Sequence, residues 1–218
     1  MPVKIYAMDV SPPARAAVMG CHIFDVPAEM IQVNLLEKDH LKPEFVKKNP
    51  LHTVPILEDG DLILHDSHAI LIYLADVYGK DDSWYPKDVK KRALVNQKLF
   101  FDTAILFPRL RNVTYEVVLQ GETIVRPKLL ADIEESYGFM EQFLSQTKYI
   151  AGDNITIADL SAISNLTSLI YIVPLDEHKY PKTTAWVKEM EKQSYCQKYN
   201  APGARALANI VKERVQSQ

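Results

Sequence analysis

Cysteine is nearly missing from this chain: Cys21 and Cys196 are the only two among 218 residues. They lie too far apart for a CxxC pair or a metal-ligand cluster, so no disulfide framework and no metal site is expected, and a reducing, cytoplasmic setting fits. Charge of one sign is also lacking. The 25 Lys and Arg stand against 28 Asp and Glu, giving a formal net charge of -3 with no basic block to follow a nucleic-acid backbone. Long apolar runs are absent too. The longest, "LTSLIYIVPL" at 166 to 175, carries Thr, Ser and Pro and falls well short of the ~20 residues that a bilayer requires. At the amino end Asp9, Pro12 and Pro13 interrupt the apolar residues before a secretory h-region could form. These absences argue against nucleic acid and membrane as partners and leave a small molecule or another protein.

What is present is a globular composition, 47% hydrophobic and 24% charged, in a chain long enough for one large core or two small ones. From Val3 to Leu64 short β-type runs mix with helical ones: "VKIYAM", "PPARAAVMGCHIF", "EMIQVNLL", a charged segment ending in "KKNP", then "VPILEDG" and "LILHD". The Glu58-Asp59-Gly60 stretch between the last two runs signals a hairpin. The pattern reads as a βαβ unit, a ββ hairpin and a closing helix, "SHAILIYLADVYG", with Asp66 and Ser67 as N-cap types and Gly79 as the C-cap. Residues 80 to 87 then concentrate charge, Ser and Pro in the manner of a linker. Beyond them come only helical patterns, at about 88–112, 123–145, 156–172, 183–193 and 202–215, with Pro108 kinking the first. The expectation is an α/β first domain over 1–79, a linker over 80–87 and an all-α second domain over 88–218.

Three local features carry potential chemistry. In "DNITIADLSAISNL", Thr156 and Asp159 have the spacing of a capping box, with Ile155 placed as a hydrophobic staple, and a structural cap accounts for both. Ser11 precedes Pro12 and Pro13, which places it at a strand-to-helix turn; it is either an N-cap or a hydroxyl held for a ligand. Thr53-Val54-Pro55 opens a strand where a central position would need the proline's missing N–H. A trans proline at the strand's first residue is one answer. A cis peptide at Pro55 is the other, and it would turn the Val54 N–H and C=O outward for pairing with an extended peptide.

Taken together, "SPPARA", "HTVPIL", "DSHAILIYLADVYG" and "ITIADL" resemble a cytosolic glutathione S-transferase, from about residue 3 to about residue 210. The Ser-Pro-Pro turn, "DSHAI" and "YGKDDSWYPKD" are most similar to the insect delta and epsilon classes, epsilon above all. The resemblance implies a thioredoxin-like first domain, a helical second domain, glutathione as co-substrate and no metal. It implies that Asp66 pairs with the glutathione ammonium, that Ser67 and the helix N-terminus receive the γ-glutamyl carboxylate, and that Val54 pairs with the cysteinyl backbone, with Thr53 and Pro55 also in the glutathione site. His40 and His52 fall near the glycyl carboxylate, with Arg111 reaching in from the second domain. An apolar electrophile is expected between the domains against Phe107, Leu110, Arg111, Tyr115 and Leu119. A homodimer is implied by the same resemblance, with His68 and the first helices of the second half at its interface.

On this reading Ser11 is not the nucleophile. No G-x-S-x-G elbow surrounds it, and neither Asp9 nor any histidine has a spacing that makes it a base for Ser11. Its hydroxyl would donate to the glutathione sulfur at the positive end of the helix beginning at Pro12, favouring thiolate over thiol. The resemblance extends to dehydrochlorination and peroxide reduction, and to detoxification and insecticide resistance as the setting. A thiol transferase would need a cysteine at the Ser11 turn. A carrier of apolar ligands or an interaction module on the same fold is the remaining alternative.

Overall fold

The computed structural model describes residues 2–216. Its first part runs β1 (Val3–Ala7), α1 (Pro12–Ile23), β2 (Ala28–Gln32), a 3-10 turn (Asp39–Leu41), α2 (Pro43–Lys48), β3 (Ile56–Asp59), β4 (Leu62–His65) and α3 (Ser67–Tyr78). The four strands form one sheet in the order β2-β1-β3-β4, with β1 and β2 parallel and the other neighbours antiparallel. Glu58 and Asp59, expected in the turn, belong to β3, and Gly60 with φ 62° makes the actual corner before β4. The α2 helix has no counterpart among the expected elements.

The remainder is helical: α4 (Val89–Phe101), α5 (Phe107–Thr114), α6 (Pro127–Leu144), α7 (Ile157–Ile172), α8 (Pro181–Glu191) and α9 (Ala201–Gln216). Five-residue π-turns at Asp102–Leu106 and Tyr115–Leu119 adjoin the two ends of α5, and a third at Cys196–Asn200 leads into α9. The helix expected to end near 112 therefore continues to Leu119. The turn ahead of Pro108 widens as such turns do where the backbone must accommodate a missing N–H. Among the described residues no helix is long and apolar enough to cross a membrane.

The inward residues of β1 (Val3, Ile5) and β3 (Leu57) join Ala16, Ala17 and Met19 of α1 and Ile70, Leu71 and Leu74 of α3 in one apolar cluster, which continues into the helical half. Gly20 lets α1 and α3 approach: a Cβ there would stand 2.7 Å from Leu71 Cδ2. A smaller cluster, toward the end of the sheet that leads into the loops, joins Phe45 of α2 with Ala7, Ala14, Val33, Val54 and Ile56. The helix α7 is the axis of the second half. Every residue from Ile157 to Leu169 is buried, and α1, α3, α4 and α9 all pack on it. A helix buried all round must find partners for its polar side chains inside the protein. Ser161 and Asn165 meet Asp102, Ser168 meets Arg15, and Asp159 meets Thr156, Ile150 and Trp186.

Candidate functional site

Strand register places the interesting loops together. Tyr6 of β1 pairs with Ile56 of β3, and Ile56 pairs with His65 of β4, while Ala7 stands beside Gln32 of β2. The Ser11 turn, the 33–54 connection, Pro55 and the Asp66-Ser67 corner thus all lie beyond the same end of the sheet.

Ser11 occupies the N-cap position of α1 with φ -81° and ψ 115°, and its hydroxyl makes no capping bond. An N-cap side chain serves the N–H of the second or third helical residue; here the first two are Pro12 and Pro13, so the Ala14 N–H is the one such donor, and the Ser11 hydroxyl does not engage it. The turn is held by backbone instead, with Ser11 N–H donating to Met8 O at 2.9 Å and Arg15 N–H to Ser11 O at 3.0 Å.

The Val54–Pro55 peptide is cis. The β ladders begin at Ile56, so Pro55 precedes a central strand without interrupting its bonds, and Val54 lies outside the ladder although it is not at a lateral edge of the sheet. A buried asparagine that no sequence motif marks shapes this loop. Asn49 donates from Nδ2 to Thr53 O at 2.9 Å and Thr53 Oγ1 at 3.0 Å, while its own Oδ1 accepts from Leu51 N–H and its carbonyl from His52 N–H. His52, in the left-handed region at φ 45°, is exposed, and its ring lies 6.1 Å from that of His40. Nδ1 of His40 is buried without a partner. Burial, and secondly the charge of His52, hold His40 below the ordinary histidine pKa.

Asp66 has φ 78° and caps α3, accepting from His68 N–H at 2.8 Å and Ala69 N–H at 3.1 Å. Burial pushes its carboxyl up, but the His68 and Ala69 donors outweigh that and leave it below the usual range. Ser67, buried, opens the helix. Because the Ile70 N–H turns to Asp66 O, the Ser67 N–H is the first-turn donor that the Asp66 carboxylate does not cap.

Behind this corner sits a network that sequence could not reveal. His68 Nε2 lies 2.9 Å from Asp102 Oδ2 and from Ser161 Oγ, and its Nδ1 faces Asp66 Oδ1 at 3.3 Å and Thr103 Oγ1 at 3.1 Å. Asp102, 1% exposed, also accepts from Asn165 Nδ2 at 2.9 and 3.0 Å and from Ser161 Oγ. Burial lowers the His68 pKa, but Asp102 and Asp66 more than reverse it and lift it to about 9. Both ring nitrogens of His68 thus meet partners within the chain.

The second-half candidates divide. Arg109 is structural, bonding to Asp132 O, Ser136 Oγ and Glu135 of α6. Arg111 is exposed, its guanidinium 5.3 Å from the centroid of the Tyr115 ring. Leu110 is part of the core, Phe107 is half-buried, and Tyr115 and Leu119 are exposed. The π-turn carrying the last two packs on α9, where Arg214 donates to Val118 O at 2.5 Å.

A four-stranded α/β domain with a cis-proline loop, a serine turn and an acidic helix corner, set against a helical domain, defines the transferase architecture that uses glutathione. Residues 5–82 match the family description "Glutathione S-transferase, N-terminal domain" and residues 93–194 match "Glutathione S-transferase, C-terminal domain". The chain belongs to the glutathione S-transferase family. It is 44% identical over 217 residues to glutathione S-transferase 1 of Manduca sexta, covering 99% of this chain and 100% of that protein. Among solved structures, an epsilon-class glutathione S-transferase from the housefly Musca domestica is 43% identical with a TM-score of 0.95, covering 97% of this chain and 98% of that one. A glutathione transferase homologue of Drosophila mojavensis, solved with bound glutathione, is 42% identical with a TM-score of 0.95, covering 98% and 97%.

Proposed function

We propose that this chain is a serine-type glutathione transferase that joins the glutathione thiolate to apolar electrophiles. The observation that carries the reading is the Ser11 hydroxyl, which makes no capping bond although it stands at the N-cap of a twelve-residue helix. A free thiol has a pKa near ~8.5, so at neutral pH only a few per cent is the nucleophilic thiolate. A hydroxyl donor and a helix N-terminus both stabilise the anion over the thiol. Lowering the thiol pKa by about two units corresponds to about 2.7 kcal/mol, within reach of one charge-assisted bond plus a helix end.

The remaining groups match the rest of the tripeptide. Asp66 offers its charge to the ammonium while the Ser67 N–H and hydroxyl receive the γ-glutamyl carboxylate. Val54 pairs with the cysteinyl backbone, flanked by Thr53 and Pro55. His40 and His52 take the glycyl carboxylate. Arg111 reaches this end from the second half. The sulfur lone pair then forms a carbon–sulfur bond to the electrophile as the leaving group departs with its bonding electrons. In a dehydrochlorination the thiolate would instead remove a proton as chloride leaves; reduction of peroxides is a further use of the same thiolate. Phe107, Tyr115 and Leu119 would receive the electrophile, with Leu110 packing behind them.

The assignment of 1–79, 80–87 and 88–218 as domain, linker and domain belongs to the same proposal, as do detoxification, with insecticides among the substrates, and a cytoplasmic homodimer. Supporting the dimer are apolar side chains left open on neighbouring elements, namely Ile63 of β4, Val77 of α3, and Leu94 and Phe100 of α4, the last 71% exposed. Supporting the compartment are two free, buried cysteines whose thiols burial pushes up to about 12. The test is an ultraviolet difference titration of glutathione on the protein. A bound thiol that ionises well below its solution pKa in wild type, and not in Ser11→Ala, is the expected result; ionisation at the solution value in wild type refutes the reading.

A further inference from the structure

Arg15 is the largest buried polar side chain of the first half, 2% exposed, and it stands one helical turn after Ser11. Its five donors are all engaged. Nε donates to Asn200 Oδ1 at 2.8 Å, Nη1 to Val10 O at 3.0 Å and Asp9 O at 3.3 Å, and Nη2 to Ser164 O and Ser168 Oγ at 2.7 Å each. Every one of these acceptors is neutral. Among the described residues no carboxylate forms an ion pair with it, and Asp9, whose side chain is exposed, attracts it only through space. The charged side chains that line the cleft around Arg15 are Asp9 and Lys198.

Two aspects of this arrangement are unusual. A buried cation is ordinarily paired, because an uncompensated charge is costly to desolvate. A cation in the first turn of a helix also has the wrong sign for helix stability, since that end is already positive. It has the right sign for an anion bound at that end. The carbonyls it holds belong to Asp9 and Val10, the residues that lead into Ser11, and the other side of the clamp is α7 and the Cys196–Asn200 π-turn. The start of α9 closes the same place: a Cβ on Gly203 would stand 1.9 Å from Asp9 O and 2.8 Å from Arg15 Cδ.

Resting on the proposed transferase function, we infer that Arg15 is a positioning residue for thiolate formation, fixing the Ser11 turn against the helical half and adding an uncompensated positive charge beneath the bound sulfur. Burial lowers its pKa to about 9 against the attraction of Asp9, which still leaves it charged at neutral pH. The role divides into geometry and charge, and substitutions separate the two. Arg15→Lys keeps the charge and loses the planar fork. Arg15→Met loses both. Asp9→Asn leaves the guanidinium in place and removes the exposed negative charge that partly offsets it.

The experiment is the same ultraviolet titration of bound glutathione, run on wild type and the three variants at saturating glutathione, with circular dichroism to confirm folding. The expected results are a bound-thiol pKa raised by about one unit in Arg15→Met, a tenfold loss of thiolate at low pH that higher pH restores, and a smaller rise in Arg15→Lys. Asp9→Asn is expected to lower that pKa, and Arg15→Lys, which keeps the buried charge, gives the reading specific to Arg15 if Arg15→Met fails to fold. A folded Arg15→Met with the wild-type thiol pKa, or an Asp9→Asn with no shift, overturns the inference while leaving the Ser11 reading intact. A wild-type thiol that ionises at its solution value removes both.

Discussion

The α1 and α7 helices each carry a serine or threonine at the N-cap, and they use it in opposite ways. At α7, Thr156 and Asp159 form a closed arrangement: Asp159 Oδ2 accepts from the Thr156 N–H at 2.9 Å and its hydroxyl at 3.1 Å, while Oδ1 accepts from Ile150 N–H at 3.2 Å and Trp186 Nε1 at 3.0 Å. At α1, Ser11 precedes two prolines and its hydroxyl caps nothing. A helix start whose polar groups are all engaged internally is a structural device; one whose hydroxyl is left unengaged is a place for a ligand. The difference lies in the three residues after the hydroxyl residue, "IAD" in one case and "PPA" in the other.

The sharpest way to break this comparison is to remove the closed arrangement. Asp159→Ala leaves two backbone N–H groups and an indole N–H buried without acceptors, and it is expected to cost about 3–5 kcal/mol of folding stability. Urea denaturation measures it. A loss below about 1 kcal/mol would mean that α7 does not depend on its cap.

The next effect tests the network behind the acidic corner. His68 is held up at about 9 in the folded protein against about 6.5 unfolded. A raised pKa stabilises the fold fully below about pH 6.5 and loses that contribution as pH rises through 9. The contribution is on the order of 3 kcal/mol. Denaturation at pH 6.5, 8 and 9.5 should show wild type losing stability over that window relative to His68→Gln. Parallel curves for the two would show that the ring carries no extra proton.

Ser11→Ala addresses the open end of the comparison. The expected rate loss with a model aryl halide is about 25-fold at pH 7 and about 100-fold well below pH 6, equivalent to a two-unit rise in the bound thiol pKa. Folding stability should change by less than about 0.5 kcal/mol, where replacing an engaged N-cap serine costs ~1 kcal/mol. A stability loss of that size would show that the hydroxyl caps α1 in solution.

How much of the fold and site is legible in the sequence depends on the range of each interaction. The Thr156–Asp159 box and the Pro12-Pro13 start lie within four residues, and the hairpin at Gly60 lies within five; all are readable. The α2 helix is six residues of which Phe45 alone is buried, so it has no apolar period to detect. The continuation through Tyr115–Leu119 escapes detection because "VTYEVV" favours strand by composition, yet Val113 and Val117 are buried at helical spacing. Arg15 meets Ser164 and Asn200, 149 and 185 residues away, and His68 meets Ser161 at a separation of 93. No local pattern encodes such pairings. The sequence nevertheless marks them indirectly, since a helix with the polar run Ser161, Ser164, Asn165, Thr167 and Ser168 buried must be answered from elsewhere.

The smallest expected effect separates cap from charge at the corner where the two modes meet. Asp66 caps α3 and is also the proposed partner of the glutathione ammonium, so Asp66→Ala removes both functions, and its φ of 78° makes a β-carbon residue without a polar side chain a poor tenant. Asp66→Asn is the cleaner change. Asparagine tolerates a positive φ and keeps one carboxamide oxygen for the His68 and Ala69 N–H groups, so stability should fall by less than about 0.5 kcal/mol. Glutathione affinity should fall about fivefold to tenfold, the worth of one partly exposed charge on an ammonium. Calorimetry of glutathione binding reads the affinity directly. If affinity holds and stability drops, Asp66 belongs with Asp159 as a cap, and the acidic corner loses its place in the site.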